Sequence, residues 1–214
     1  MSRKKMQKFA EAENFPNLIQ LHQKDHKERL QKILSTKKDI ILELACGRGE
    51  YTLALAQKDS KKNFIGIDIQ GERLWNGAKY ALENKISNAY FLRIQIEDLE
   101  KYFKKKSIQE IWITFPDPYP RKGQIKKRLT SPKFLQIYKN ILKKESLLNL
   151  KTDDKNLYDY SQTSIKDFGG QLKEKIEDIY SQDNLPDYLK IQTNFEKKHL
   201  LAGKKIYYLS FSLK

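Results

Sequence analysis

The sequence predicts an α/β domain in which a doubly wound parallel sheet carries helices on both faces. Three observations carry that prediction. From Asp39 onward, short apolar β-branched runs alternate with longer stretches of helical periodicity. The first run ends in a Gly-containing turn that leads straight into a helix. With 39% hydrophobic residues over 214 positions, the chain can bury one ordinary core without disulfides.

Taken in order, the strands are read at Ile40 to Ala45, Asn63 to Asp68, Ala89 to Ile94, Ile108 to Phe115 and Leu147 to Lys151. Between them, Glu50 to Gln57, Glu72 to Asn84 and Phe134 to Leu142 place apolar residues at helical spacing. Ser131-Pro132 supplies the third helix with an N-cap and a first-turn proline. From Gln171 the pattern changes to a strand, a looser stretch around Asp183-Asn184-Leu185-Pro186, a helix from Thr193 to Ala202 ending at Gly203, and a closing strand from Ile206 to Leu213. Residues 1–38 form a basic and then amphipathic extension, with Leu18 to Leu34 expected as a helix laid against the domain that occupies 39–214.

Forty-two Lys and Arg against 27 Asp and Glu give a net charge of +15, which favours polyanionic partners but also serves solubility. Met1-Ser2-Arg3-Lys4-Lys5 precedes a mixed polar stretch instead of an apolar segment, and no run is long enough to cross a bilayer. The expectation is a cytoplasmic protein without a membrane partner. The single Cys46 and the scattered His22, His26 and His199 exclude an internal disulfide and give no metal-ligand spacing, so no metal is expected.

The chemistry gathers at the carboxyl ends of the predicted strands, where open α/β sheets bind ligands. Glu43-Leu44-Ala45-Cys46-Gly47-Arg48-Gly49-Glu50 puts Gly47 and Gly49 where backbone can approach a ligand, but Thr52 stands where a dinucleotide fingerprint has its third glycine. Glu43 is a poor neighbour for a pyrophosphate and a good one for a cationic amino group. Asp68 can accept from two ribose hydroxyls, a device that nicotinamide enzymes share. An N-terminal helix charge and a strand-end carboxylate account for the same pair. Gln95 or Glu97 can hold an adenine, and Glu97 can equally favour a helix N-terminus.

The most informative segment is Phe115-Pro116-Asp117-Pro118-Tyr119-Pro120-Arg121-Lys122, followed by Lys126-Lys127-Arg128. Prolines on both sides hold the carboxylate of Asp117 in place, as recognition of a flat base requires. An acid can pair with the N1 and N2 hydrogens of guanine, and Tyr119 offers a stacking face. From Pro118 to Lys144 there are nine Lys or Arg and no acid, the footprint of phosphate contacts beside a base pocket. Lys122, Lys126, Lys127 and Arg128 are the expected RNA contacts. Thr193 and Glu196 have the spacing of a capping box, which does not exclude contact with a substrate.

Together these motifs resemble the bacterial tRNA (guanine-N7-)-methyltransferase family, from about Ile40 to the C-terminus. The carriers are E-L-A-C-G-R-G-E, F-I-G-I-D, F-P-D-P-Y-P-R-K with K-K-R-L, L-K-T-D, and T-N-F-E-K-K-H-L-L-A-G. The resemblance implies a Rossmann-like class I methyltransferase sheet. It implies S-adenosylmethionine held by Glu43, Gly47, Gly49, Asp68, Gln95 and Asp117, and substrate met by Arg121, Asp153, Thr193, Asn194, Phe195 and Glu196, with Asp117 catalytic. It implies tRNA as partner, methylated at N7 of the variable-loop guanine by a monomer or homodimer. Ala45 stands where glycine is frequent, which fits a strand that simply extends; Gln95 replaces a frequent carboxylate and Tyr119 the usual Trp. A silent RNA-binding protein on the same fold is the rival, distinguished by failure to bind the cofactor. A nicotinamide-dependent oxidoreductase is disfavoured by Thr52, Glu43 and the lack of a hydride-site His, or of a Tyr beside a Lys.

Overall fold

A computed structural model describes residues 3–213. The chain forms two compact units, Met1–Asp98 and Leu99–Lys214.

The first unit contains α1 (Arg3–Ala12), β1 (Leu18–Gln20), α2 (His26–Leu34), β2 (Ile40–Leu44), α3 (Glu50–Lys58), β3 (Asn63–Asp68), α4 (Gly71–Glu83) and β4 (Ala89–Arg93). Its strands lie in the order β1-β4-β3-β2, and every pairing is parallel. β2 and β3 are buried along their whole length, as expected for strands whose two faces are both covered. On α4, Leu74, Ala78 and Ala81 are buried at helical spacing, and Trp75 flanks that stripe on the side where α1 packs. Trp75 donates its indole N–H to Glu11 at 3.1 Å, while the ammonium groups of Lys8 and Lys79 lie 4.7 and 4.9 Å from its ring.

The expected helix over Leu18 to Leu34 is instead β1, a turn and α2. The reason is tertiary: Leu18 and Ile19, 0% and 1% exposed, add a strand to the edge of β4, where Phe91 N–H also donates to Asn17 O at 2.7 Å. Arg29 fixes the turn by donating to the carbonyls of Phe15 and Leu18 at 2.6 and 2.9 Å.

The second unit contains α5 (Leu99–Tyr102), β5 (Ile108–Thr114), a 3₁₀ segment Lys122–Lys127, α6 (Pro132–Ile141), β6 (Leu142–Thr152), α7 (Lys155–Asp167), β7 (Gln171–Ile176), a 3₁₀ turn Ile179–Ser181, α8 (Asn194–Leu201) and β8 (Tyr207–Ser212). The strand order is β5-β6-β8-β7, with β5 and β6 parallel and β8 antiparallel to both neighbours. β6 begins five residues before the expected Leu147, with Glu145 at φ 64° and a register shift opposite Ile108 and Glu110 marking a bulge. α7 had no counterpart in the sequence reading. Its buried face includes Ser161 and Ser164, whose hydroxyls bond Thr130 Oγ1 and Thr130 O at 2.7 Å each, so a hydrophobic period is weak. Ser131 does occupy the N-cap position of α6, but its hydroxyl donates to Lys126 O at 3.1 Å and caps nothing.

Candidate functional site

In the first unit the turn after β2 is built from left-handed backbone: Ala45, Gly47 and Gly49 have φ of 56°, 57° and 71°. Ala45 therefore does not extend the strand, as its replacement of glycine had implied; it accepts a conformation that costs a residue with a Cβ about 1 kcal/mol. At Gly49 a Cβ would sit 2.2 Å from the Phe91 ring, so only glycine fits between the start of α3 and β4. At Gly47 a Cβ would meet nothing within 4 Å, and the backbone lies open to an approaching ligand.

Asp68, at the end of β3, accepts from Gly47 N–H through Oδ2 at 2.9 Å and from Gln70 N–H through Oδ1 at 2.8 Å. Each oxygen keeps a further lone pair, the arrangement that suits a vicinal diol such as ribose. Ile69, which the sequence reading passed over, stands 58% exposed beside it and offers an apolar face to a flat ring. Glu43 is 3% exposed and accepts from both the N–H and the hydroxyl of Thr52 in the first turn of α3. Its negative charge thus stabilises that helix start, and it remains the acid at the end of β2 nearest the glycine turn. Burial, reinforced by the charges of Glu43 and Asp68, pushes the Cys46 thiol well above its ordinary range. Gln95 and Glu97 are exposed after β4, with Gln95 O accepting from Asp98 N–H at 3.0 Å in the 3₁₀ turn. These donors and acceptors fit an adenosine-bearing cofactor.

In the second unit, β5 delivers the proline-flanked acid. Phe115 and Tyr119 each precede a proline and each take left-handed backbone, φ 49° and 43°, conformations costing on the order of 1–3 kcal/mol apiece that surrounding contacts must hold. The contacts are present. Phe115 N–H donates to Lys151 O at 2.8 Å, and its ring lies 5.2 Å from that of Phe195. Arg128, expected on the RNA surface, turns inward: it is 6% exposed and donates to Pro118 O at 2.9 Å and Tyr119 O at 3.2 Å, with its guanidinium 4.6 Å from the Tyr160 ring. Two carbonyls turned inward by the kinked loop are what recruit it. Asp117 stands exposed at the tip, with no hydrogen bond or ion pair to any described residue. Arg121, Lys122, Lys126 and Lys127 are exposed beside it in sequence, and Lys127 Nζ lies 6.0 Å from the Tyr119 ring.

The other expected substrate residues gather around α8. Thr193 caps it, accepting from Glu196 N–H at 3.1 Å, but the reciprocal half of the capping box is not made. Glu196 is 0% exposed, and its carboxylate is taken by Lys151, also 0% exposed, at 2.7 Å and by the Tyr180 hydroxyl at 2.7 Å. Lys151 further donates to Leu189 O at 3.1 Å and Ile191 O at 2.8 Å, so all its ammonium protons are used. Burial outweighs the pull of Glu196 and lowers the Lys151 pKa; burial, then Glu196, raises that of Tyr180. Glu196 thus holds the segment before α8 onto β6 and presents no group to a ligand. Lys151 had a legible signal, a lone charge in the apolar run L-L-N-L-K-T. Asn194 and Phe195 are exposed at the helix start, and Asp153 is paired with Lys204 and lies beside His199. A cavity of about 630 Å³ lined by Gln162, Lys166, Leu172 and Lys175 brings together none of the residues singled out from the sequence.

Residues 37–209 match the family described as "Putative methyltransferase". The chain is 40% identical to the tRNA (guanine-N(7)-)-methyltransferase of Christiangramia forsetii over 100% of its length and 99% of the relative's. The chain belongs to that methyltransferase family. It is 35% identical to the enzyme of the same name from Cytophaga hutchinsonii, covering 99% of this chain and 98% of that one. Among solved structures it is similar to an antibiotic-related methyltransferase, with a TM-score of 0.66 and 17% identity over 88% of this chain and 94% of the other. It also resembles a SAM-dependent methyltransferase from Aquifex aeolicus, with a TM-score of 0.56 and 14% identity over 99% and 98%. The doubly wound Rossmann-like fold expected from the strand pattern is thus the fold of this methyltransferase. Among the described residues no helix is long and apolar enough to cross a membrane, and no group of three His, Cys, Asp or Glu is placed to hold a metal.

Proposed function

We propose that this chain transfers the methyl group of S-adenosylmethionine to N7 of a guanine in cytoplasmic tRNA, the variable-loop guanine by likeness to the family. Asp117 carries the reading. An exposed carboxylate without a partner among the described residues, on an immobilised loop followed by four exposed cations, is repelled by phosphate and matched to a group that offers N–H donors and gains positive charge. A guanine undergoing methylation at N7 is such a group.

Guanine N7 carries a lone pair, so no proton has to leave first. Bound S-adenosylmethionine supplies a methyl carbon activated by its positively charged sulfur. Asp68 takes the ribose hydroxyls, the backbone at Gly47 admits the cofactor's chain, and Glu43 supplies the negative charge that favours its amino group. Asp117 accepts from guanine N1–H and N2–H, orienting the base and favouring the charge that develops on its ring. Arg121, Lys122, Lys126 and Lys127 hold phosphates, and Phe195 offers an exposed face for the extruded base. Asp117→Ala should lower turnover by at least about 10²-fold, as loss of an oriented electrostatic group does, while gel-shift affinity for tRNA stays near wild type. Unchanged turnover would remove Asp117 from its role.

A further inference from the structure

Resting on that reading, we propose that His199 is a positioning residue for the substrate base, because its ring meets two of the residues assigned to contact that base, Asp153 and Phe195. Its ring stacks on Phe195, with centroids 4.1 Å apart and planes at 24°. Its Nδ1 lies 2.9 Å from Asp153 Oδ2, within ion-pair distance though outside hydrogen-bond alignment.

The arrangement of Asp153 gives this contact a purpose. Lys204 Nζ reaches the same oxygen, Oδ2, at 2.7 Å. Both contacts therefore gather on one side of the carboxylate, and Oδ1 has no hydrogen bond or ion pair from any described residue. The Asp153 side chain is 13% exposed, so its torsion is confined by packing as well as by the two contacts. A carboxylate pinned through one oxygen presents the other in a fixed direction, which is what an acceptor for a base N–H requires. On the far side, the His199 ring backs Phe195, which also meets the Phe115 ring at 5.2 Å and, at 47% exposed, keeps apolar ring surface open to a base. His199 sits on α8 at i+4 from Phe195, the spacing that places two side chains on one face of a helix. One imidazole thus fixes a hydrogen-bonding group and a stacking group relative to each other.

Two substitutions separate the contacts. His199→Phe keeps the stack on Phe195 and removes the contact to Asp153; His199→Gln keeps a polar group toward Asp153 and removes the ring. The readout is the KM for tRNA against kcat, beside the affinity for S-adenosylhomocysteine, with melting temperatures to monitor folding. Both variants are expected to raise KM for tRNA by about 10-fold, the loss of one oriented contact to a charged group, with cofactor affinity unchanged. Asp153→Asn in the His199→Phe background should add less than it does alone, because the two act through one carboxylate oxygen. Should His199→Phe fold poorly, Lys204→Met, at a half-exposed site, removes the other Oδ2 contact and should move KM in the same direction. Wild-type KM in His199→Phe, or full additivity with Asp153→Asn, would overturn the inference while leaving the methyl transfer of the parent enzyme standing. Absence of methyl transfer by the wild type would instead overturn the reading on which it rests.

Discussion

Lys151→Met would remove the ammonium from the buried pair and keep most of the side-chain volume. The carboxylate of Glu196, 0% exposed, would then retain only the Tyr180 hydroxyl, and the carbonyls of Leu189 and Ile191 would lose their donor. Breaking a buried ion pair from one side costs about 3–5 kcal/mol because it strands a charge, and the two carbonyls place this case toward the upper end. For a chain of this size, that lowers the melting temperature by roughly 10 °C or more. Urea unfolding should show the loss as an earlier midpoint at unchanged m-value. Lys151→Met with Glu196→Gln removes both charges and should recover a large part of the loss, since what is expensive is the unpaired charge. A single variant costing less than about 1 kcal/mol, or a double variant as costly as both singles together, would refute the reasoning. The segment from Ile179 to Thr193, which this pair holds on β6, would then be fixed by something else.

Three further outcomes follow from the same geometry. Gly49→Ala should cost about 3 kcal/mol, combining left-handed strain with the Phe91 clash, whereas Gly47→Ala should cost about 1 kcal/mol from strain alone; equal thermal shifts would contradict the packing at Gly49. The Cys46 thiol is held protonated by burial and by Glu43 and Asp68. Its contribution to stability is therefore complete below the unfolded thiol's pKa of about 8.5 and declines as pH rises above it, so Cys46→Ala should flatten that decline, and a thiol reagent at pH 8.5 should label the folded wild type slowly. Lys122, Lys126 and Lys127 changed together to Ala should reduce the salt slope of tRNA binding by about two to three with little effect on melting, whereas Arg128→Met should lower the melting temperature; the reverse pattern would show that Arg128 faces the RNA.

Much of this was legible in the sequence because it depends on local pattern. The run N-F-I-G-I-D gives β3 to the residue, since a strand buried on both faces reads as a continuous apolar run, here ending in the acid Asp68. The proline-flanked Asp117 and the glycine turn after β2 announce themselves because prolines and glycines constrain backbone wherever they fall. What was illegible depends on partners distant in sequence. Leu18-Ile19 fits a helical period as well as a strand, and the edge of β4 decides. The inward turn of Arg128 follows from carbonyls ten and nine residues earlier, and nothing in K-K-R distinguishes it from its neighbours. Glu196 has the spacing of a capping residue, and only the fold brings Lys151 to it across 45 positions of sequence. The serine-lined face of α7 shows the same limit, with burial satisfied by hydroxyl bonds that hydrophobic periodicity does not register.

The most direct measurement incubates the protein with bulk tRNA and S-adenosylmethionine labelled in its methyl group, digests the RNA to nucleosides and identifies the labelled one. The label is expected on N7-methylguanosine, and to fall to background with Asp117→Ala. Label on another nucleoside, or none above a no-enzyme control, would contradict the account.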